Sequence, residues 1–381
     1  MIFLCSSSFL KRIVEYAILE CGICADRSII LKRKIVAVLM ILISIFNLTG
    51  CSTANNKHRY DAQFLMLFNT ATKIVGYADT KEEFGEYSQM IYDELNIYHE
   101  LYNIYNDYDG INNIKTINDN AGVKPVKVDK KVIDLLNFGK KGYKETNGKL
   151  NIAMGAVLQI WHKYREAGLE DPTVAKLPDM AELKEKNKHT DINKLIIDEE
   201  NSTVYLEDPE MRLDVGAIAK GYATEQVSKY AYEHGFKHGM ISVGGNIRTI
   251  GDKVGKEKEW NVGIQNPDLE SEQKNLYVLD LSNKTLVSSG DYERYYTVDG
   301  VRYHHIIDPQ TLMPATYFAA VSILTTNGGF ADGLSTAIFN MPYEEGLKLI
   351  ENIPDTEALW VFKDGSMKYS SGFGDYIHKE K

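Results

Sequence analysis

The sequence predicts an α+β fold in which a largely antiparallel sheet forms the core and helices flank it. Short runs of strand-forming residues follow one another from residue 195 onward, and tight turns such as Asp299-Gly300 join consecutive runs. Segments with apolar residues at helical spacing interrupt these runs. Because strands joined by tight turns pair antiparallel, this order of elements is typical of an antiparallel sheet with helices packed against it.

Two long helices are predicted in the first half of the body. Residues 64–77 read as an extended segment, and residues 81–105 follow as an amphipathic helix. The buried face of that helix is indicated by Tyr87, Ile91, Leu95, Tyr98 and Tyr102. A second helix is expected over residues 130–146, and the charged, weakly patterned residues 166–191 suggest an exposed insertion.

The second half is predicted to be rich in short strands. They cover residues 195–198, 203–206, 239–243, 260–264, 277–281, 286–289, 295–298, 304–307 and 319–324. The helices among them cover residues 217–235, 330–340 and 343–351.

The N-terminus has the pattern of a bacterial lipoprotein leader. The basic run Lys32-Arg33-Lys34 precedes an apolar stretch over residues 35–46, which is too short for a comfortable membrane span. The sequence Leu48-Thr49-Gly50-Cys51-Ser52 then resembles a lipobox, so we expect cleavage before Cys51 and palmitate-type lipidation on it. An uncleaved signal anchor is the alternative.

These features predict three regions. Residues 1–51 form the leader, whose first thirty residues suggest an upstream start or an extension that is removed. Residues 52–62 form a linker, and residues 63–375 form one catalytic unit of two closely joined lobes. The expected location is the bacterial cell membrane, where the lipid anchor holds the body on the extracytoplasmic face.

Charge and cysteine content restrict the possible partners. Residues 1–51 carry a net charge of +3, so the body carries −13 against −10 for the whole chain. Because phosphate neutralisation needs a basic patch, this balance argues against nucleic acid as a partner. All 4 cysteines lie at or before Cys51, so the body has no disulfide and depends on its core for stability.

The stretch Leu213-Asp214-Val215-Gly216-Ala217-Ile218-Ala219-Lys220-Gly221 is the most informative motif. It places an acid, a glycine and a lysine on one strand-to-helix turn, where free N–H donors can hold a phosphate-bearing ligand. The alternative is a capped helix, with Asp214 near the N-cap and Lys220 in solvent.

Two other groups of residues have types suited to phosphoryl chemistry. Asp332 and Thr336 are four residues apart on a predicted helix, so their oxygens face the same way and suit Mg²⁺. Alternatively, Asp332 is a helix N-terminal acid favoured by the dipole. In His304-His305-Ile306-Ile307-Asp308-Pro309, a histidine could accept a proton from a hydroxyl, or it could be structurally bonded.

Six motifs in this order resemble the ApbE family of FAD:protein FMN transferases, formerly called thiamine biosynthesis lipoproteins. They are NIAMGAVLQIW, LDVGAIAKGYATE, ISVGGNI, SSGDYERYY, HHIIDP and FADGLSTAIF. The chain departs from the family pattern at Phe68-Asn69-Thr70 for Met-Gly-Thr, at Asn151 for an acid and at Leu312 for a glycine. Ser335 stands where some members have a second carboxylate.

The resemblance implies an ApbE-like, T-fold-related architecture and a Mg²⁺-dependent reaction. The enzyme would cleave FAD, release AMP and join FMN through a phosphoester to a threonine of an acceptor flavoprotein, such as an Rnf- or Nqr-type electron-transfer subunit. By the same resemblance, the FAD-binding residues are Tyr105, Lys149, Leu150, Asn151, Asp214, Lys220 and Ile307. The Mg²⁺ ligands are the Ala217 carbonyl oxygen, Asp332 and Thr336, and the catalytic residues are His305 and Asp332.

Two rival functions stay open at this stage. An FAD pyrophosphatase would use the same residues but release FMN and AMP to water. A lipid-anchored flavin-binding or solute-binding protein would hold its ligand without any catalysis.

Overall fold

The computed structural model describes residues 57–379, which belong to one compact unit. An eight-stranded sheet lies at its centre, and every strand pair in it is antiparallel. In spatial order its strands are β1 (His58–Phe64), β2 (Thr72–Ala78), β6 (Gly239–Val243), β7 (Asn246–Ile250), β10 (Thr285–Gly290), β13 (Phe318–Thr325), β14 (Thr356–Phe362) and β15 (Met367–Tyr369). The predicted α+β class is therefore confirmed.

Smaller sheets and helices surround this central sheet. The remaining strands are β3 (Val126–Lys127), β4 (Leu195–Asp198), β5 (Thr203–Leu206), β8 (Trp260–Gln265), β9 (Asn275–Leu281), β11 (Tyr295–Val298) and β12 (Val301–His304). The helices are α1 (Lys81–Leu101), α2 (Ile114–Asp119), α3 (Lys130–Glu145), α4 (Gly155–Glu170), α5 (Met180–Asn187), α6 (Ala219–Glu233), α7 (Gly328–Phe339) and α8 (Tyr343–Glu351). Within residues 57–379, none of the helices combines the length and the apolarity needed to cross a bilayer.

The two faces of the central sheet bury different sets of side chains. Successive residues of a strand point to opposite faces, so Ile74 packs with helices α1, α3, α6 and α7, whereas Val75 packs with the β8–β9 hairpin. The predicted stripe on α1 lies in the larger core, where Ile91 and Leu95 are fully buried. Helices α6 and α7 thus lie side by side on one face of the sheet, and this placement brings their N-terminal turns together.

Several predicted boundaries differ from the structure. Strand β1 begins at His58, inside the predicted linker 52–62, because its backbone pairs with β2. The predicted extended segment 64–77 is interrupted by a 3₁₀ turn, Leu67–Asn69. Helix α1 ends at Leu101 rather than at residue 105. The predicted leader 1–51, including Cys51, lies outside the described residues.

Two further predictions had different outcomes. Residues 166–191, predicted as an exposed insertion, are mostly exposed as expected, although they contain the end of α4 and all of α5, and Leu183 of α5 is buried in a cluster with α4. The strand predicted over residues 304–307 is instead β12, Val301–His304, because those residues pair with β11. Residues 305–314 form a closed loop after it.

That loop is held by backbone bonds and by one buried side chain. The Leu312 N–H donates to the Asp308 carbonyl at 2.8 Å, and the Asp308 N–H donates to the Met313 carbonyl at 2.9 Å. Leu312 has a left-handed backbone, with φ at +61°, a conformation that favours glycine. Its side chain is 3% exposed, and its carbonyl accepts a hydrogen bond from Trp161 Nε1 at 3.0 Å. Burial therefore holds a leucine in a conformation that glycine adopts more easily.

We expect Leu312→Gly to destabilise the protein even though it relieves backbone strain. The left-handed conformation costs a leucine about 1–2 kcal/mol, whereas deleting a buried leucine side chain costs about 2–5 kcal/mol. Urea unfolding should show a net loss of about 1–3 kcal/mol. The matched control is Asp299→Gly, at an exposed turn with φ of +49°, where stability should change by less than about 1 kcal/mol. A Leu312→Gly variant as stable as the wild type would contradict this account.

Candidate functional site

Helices α6 and α7 cross closely at Gly221 and Asp332. A Cβ atom at Gly221 would lie 2.5 Å from the Asp332 Cβ and 2.9 Å from the Gly328 carbonyl oxygen, so only glycine fits there. Because the backbones approach this closely, the Gly221 N–H donates to Asp332 Oδ2 at 2.8 Å. The glycine of the sequence motif therefore admits the neighbouring helix.

Asp332 is held by α6 and does not serve as a helix cap. The side chain of Asn327 caps α7 by accepting from the Phe330 N–H, and Asp332 is the fifth residue of that helix. Asp332 is 5% exposed, and its Oδ2 also lies 3.5 Å from Lys220 Nζ. Lys220 is 20% exposed along its side chain, so the structure does not support a solvent-facing lysine. A buried carboxylate and a partly buried ammonium thus face each other.

Asp214 organises the turn before α6. Its Oδ1 accepts from the Gly216 N–H at 2.9 Å, and its own N–H donates to the Ile152 carbonyl at 2.9 Å. Helix α6 begins only at Ala219, and no side chain of the described part of the chain caps it. Asp214 therefore forms an Asx turn rather than the predicted alternative of an N-cap. Asp214 remains partly exposed.

The predicted metal ligands lie on two adjoining segments. Thr336 is one helical turn beyond Asp332 and is partly exposed, whereas the residues around it on α7 are buried. Ala217 precedes Ile218, which contacts Gly333 of α7. Ser335 points elsewhere, because its hydroxyl bonds to Ser289 at 2.8 Å and to the Asp332 carbonyl at 2.8 Å.

The donor set at this position suits a hard cation. Across residues 57–379, no cluster of three or more His, Cys, Asp or Glu side chains could hold a metal. One carboxylate from Asp332, one hydroxyl from Thr336 and one carbonyl from Ala217 would leave most positions of an octahedral ion to water and phosphate oxygens. Mg²⁺ prefers such an arrangement. The residues therefore fit Mg²⁺ bound together with a phosphorylated ligand.

The turn at residues 149–151 is engaged mainly in structural contacts. Lys149 is 6% exposed, and its Nζ lies 3.2 Å from both oxygens of Asp308 and 3.0 Å from Gln310 Oε1. The Leu150 side chain is buried against α7 at Gly333. Asn151 bonds to the Thr190 carbonyl and to the Ala153 N–H. Any contact of Lys149 or Leu150 with a nucleotide would therefore use their backbone.

The Lys149–Asp308 ion pair joins this turn to the loop that carries His305. Both side chains are 7% exposed, so removing either partner would leave a buried charge without its counterion. Ile307, another predicted FAD-binding residue, is buried in this loop and pairs with Pro314. The pair thus fixes the position of the loop relative to α7.

The two adjacent histidines have different environments. His304 is 4% exposed, its Nδ1 accepts from the Ile306 N–H at 3.2 Å, and its Nε2 lies 2.7 Å from the Ala315 carbonyl. Both ring nitrogens of His304 are therefore used in holding the loop. His305 is partly exposed as a residue, but its Nδ1 is enclosed and has no hydrogen-bond partner among residues 57–379. Of the two, His305 is the one with an unused nitrogen.

Burial and positive charge keep the His305 ring neutral. Enclosure, followed by the charges of Arg294, His304, Arg165 and Lys220, lowers the pKa of His305 from its usual 6.5 to about 3. An imidazole with that pKa is uncharged at neutral pH, so it can accept a proton. Because Lys220 contributes to this shift, His305 lies within electrostatic reach of it.

Two residues of α4, His162 and Arg165, lie near Tyr105 or His305 and were not predicted as site residues. The hydroxyl of Tyr105, a predicted FAD-binding residue, lies 3.2 Å from His162 Nδ1. Burial lowers the pKa of His162, and the charge of Asp214 opposes that shift. Arg165 follows about one helical turn later, and its positive charge helps to lower the pKa of His305. Their spacing of three residues marks one helix face, but this signal is readable only if residues 155–170 are recognised as a helix.

The sequence is similar to those of known proteins. The sequence model described as ApbE family matches residues 68–360. The FAD:protein FMN transferase of Treponema pallidum is 34% identical over 277 residues, which are 69% of this chain and 74% of that protein. The FAD:protein FMN transferase of Klebsiella pneumoniae is 30% identical over 259 residues, which are 68% of this chain and 77% of that protein.

The fold is also similar to a solved structure. The crystal structure of the ApbE protein from Thermotoga maritima aligns with a TM-score of 0.74 at 27% identity, covering 84% of this chain and all of that one. The family match spans the α6–α7 crossing and the His305 loop, which are the features that define the site described above. The chain belongs to the ApbE family.

Proposed function

We propose that this protein is an FAD:protein FMN transferase that attaches FMN to a threonine of an acceptor flavoprotein and releases AMP. The observation that carries the proposal is the convergence of Lys220, Asp332 and His305. Lys220 Nζ lies 3.5 Å from Asp332, and the Lys220 charge contributes to the low pKa of His305. A cation beside a buried carboxylate, with a neutral imidazole within range of the charge of that cation, supports phosphoryl transfer at this site.

In this reaction the threonine oxygen forms a bond to the phosphorus of the FMN half of FAD. The bond from that phosphorus to the bridging oxygen breaks, and AMP leaves with the bridging oxygen and its electron pair. His305 receives the threonine proton on Nε2, since its Nδ1 is enclosed, and Lys220 stabilises negative charge on the pyrophosphate. Mg²⁺, held by Asp332, Thr336 and the Ala217 carbonyl, would neutralise further charge on the phosphate oxygens.

We further propose that Cys51 carries a lipid that holds the protein on the extracytoplasmic face of the cell membrane. The lipobox-like sequence before Cys51 supports this location. An acceptor in the same membrane, of the Rnf or Nqr electron-transfer type, would then be within reach. Globomycin sensitivity of processing and a mass shift on Cys51 would test the anchor.

The transferase proposal is tested by incubating the full-length chain with FAD, Mg²⁺ and a threonine-bearing fragment of such an acceptor. Mass spectrometry should find FMN on the threonine, together with an equal amount of AMP. A fragment with Thr→Ala at the target position is the control. Free FMN with an unmodified acceptor would favour a pyrophosphatase, and bound FAD without turnover would favour a non-catalytic binder.

The two histidines provide a matched test of the base. His305→Gln should slow transfer by about 10²–10⁴-fold while FAD affinity changes little, because the ring acts on the threonine proton. His304→Gln should mainly lower stability, since it breaks both loop contacts of that ring. Transfer rates, FAD titration and thermal unfolding of both variants separate these roles. Equal transfer rates in His305→Gln and the wild type would exclude His305 as the base.

Stability at acid pH should report the low pKa of His305. The folded protein disfavours the protonated ring, so the contribution of neutral His305 is complete above pH 6.5 and is lost as the pH falls towards about 3. The free energy of unfolding of the wild type should therefore drop more steeply between pH 6.5 and pH 4 than that of His305→Gln. Parallel curves for the two proteins would show that the ring is not held neutral by the fold.

Thr336 allows a conservative test of the metal site. Thr336→Ser keeps the hydroxyl, whereas Thr336→Val keeps the shape but removes the oxygen. We expect the Mg²⁺ concentration for half-maximal transfer to rise about tenfold or more in Thr336→Val and to change little in Thr336→Ser. Mg²⁺ titrations of the transfer rate measure this. If the valine and serine variants respond alike, Thr336 is not a ligand.

A further inference from the structure

A tyrosine and a histidine from distant parts of the sequence meet beside the Asp214 turn. The Tyr105 hydroxyl lies 3.2 Å from His162 Nδ1, and the two rings are tilted with their centroids 6.4 Å apart. Among the charges that shift the pKa of either side chain, that of Asp214 is the strongest, so both side chains lie near that turn. The pair therefore borders the proposed FAD site, although the reaction described above assigns no step to either ring.

His162 lies on a helix that is held in place on both sides of it. Helix α4 begins at Gly155, whose N–H donates to the Arg212 carbonyl at 3.0 Å, just before the motif turn. Trp161, the neighbour of His162, donates from Nε1 to the Leu312 carbonyl at 3.0 Å. His162 thus has a fixed position relative to the motif turn and to the loop after β12.

Tyr105 lies on the irregular segment between α1 and α2, and its side chain protrudes from it. The Tyr105 N–H donates to Asn103 Oδ1 at 2.8 Å, yet the residue is 55% exposed. Within residues 57–379, His162 is the one hydrogen-bond partner of the Tyr105 hydroxyl and the one aromatic neighbour of its ring. An exposed side chain exchanges between staggered rotamers unless a contact selects one of them. The contact with His162 therefore sets the orientation of the Tyr105 ring.

The protonation states of the two groups fix the direction of this hydrogen bond. Desolvation, followed by the charge of Asp214, raises the pKa of Tyr105 to about 12, so its hydroxyl keeps its proton. Desolvation lowers the pKa of His162, so its ring is neutral at neutral pH. The hydroxyl therefore donates and Nδ1 accepts, which places the histidine proton on Nε2.

From these contacts we propose that His162 is a positioning residue that holds the Tyr105 ring for stacking on a planar ring of FAD. The inference rests on the proposed function, which supplies FAD as the ligand. Stacking needs an accessible aromatic face, and the Tyr105 side chain is exposed while its hydroxyl is held. Because the ring is oriented before FAD arrives, binding costs less side-chain entropy. The flavin and the adenine of FAD both have the planar face that this contact requires.

Two variants remove the hydrogen bond from opposite sides. Tyr105→Phe keeps the ring and loses the hydroxyl, whereas His162→Leu loses the acceptor. Each should raise the Kd for FAD about threefold, and the double variant should bind no more weakly than either, since both changes delete one bond. His162→Asn, whose Oδ1 can replace Nδ1 as the acceptor, should restore most of the affinity. Calorimetric titration of the full-length chain with FAD, without Mg²⁺ or acceptor, measures these affinities independently of transfer.

Transfer kinetics provide a second readout of the positioning role. In His162→Leu the KM for FAD should rise about threefold while kcat stays unchanged, a split that a loss of helix packing alone would not produce. Additive effects of the two substitutions, or an unchanged Kd in both single variants, would overturn the proposal. A wild-type chain that binds FAD but does not transfer FMN would reject the proposed function alone, because the titrations would still decide the role of His162.

Separate titrations with FMN and AMP identify the ring that stacks on Tyr105. Tyr105→Ala should weaken the binding of one of these halves of FAD about tenfold or more, since it deletes the stacking surface. The matched control is Tyr232→Ala, at a tyrosine that is 48% exposed near the C-terminal end of α6, and it should bind both probes as the wild type does. Wild-type affinity of Tyr105→Ala for both probes would overturn the proposal.

Discussion

The close crossing of α6 and α7 is the constraint on which the rest of the site depends. Gly221 lets the two backbones approach until its N–H reaches the Asp332 carboxylate at 2.8 Å. That contact helps to stabilise a buried charge and sets the position of Lys220 beside it. It also fixes Thr336 one turn further along α7. Cation, carboxylate and hydroxyl therefore take their positions from one packing contact rather than from flexible loops.

Sequence patterns identified the elements whose side chains alternate between core and solvent. Strands such as β8 and β11 have such alternation, and their predicted bounds agree closely with the structure. Strand β1 carries a weaker form of this signal, since Tyr60, Ala62 and Phe64 are only partly buried against the core and alternate with exposed polar residues. The predicted linker missed this short alternation, and pairing with the edge of β2 completes the strand.

For the site, sequence patterns predicted the chemistry of the residues but not their long-range contacts. The residue types at Asp214, Lys220, Asp332 and Thr336 indicated phosphate and metal chemistry from spacing alone. Spacing could not distinguish His304 from His305, since the difference lies in which ring nitrogens have partners across the loop. Nor could it show that Lys149 is buried against Asp308, 159 residues away in the sequence. Long-range contacts decide which polar residues are free to act.

The contact between Leu312 and Trp161 makes the residue choice at each of these two distant positions depend on the other. Its strained backbone is held by burial in the cluster that contains Trp161, and the indole donates to its carbonyl. Loss of the indole would leave the leucine strained with less compensation, whereas a glycine at 312 would leave the indole beside an empty space. Each residue therefore makes replacement of the other costly. Among relatives, we expect the identities at these two positions to covary.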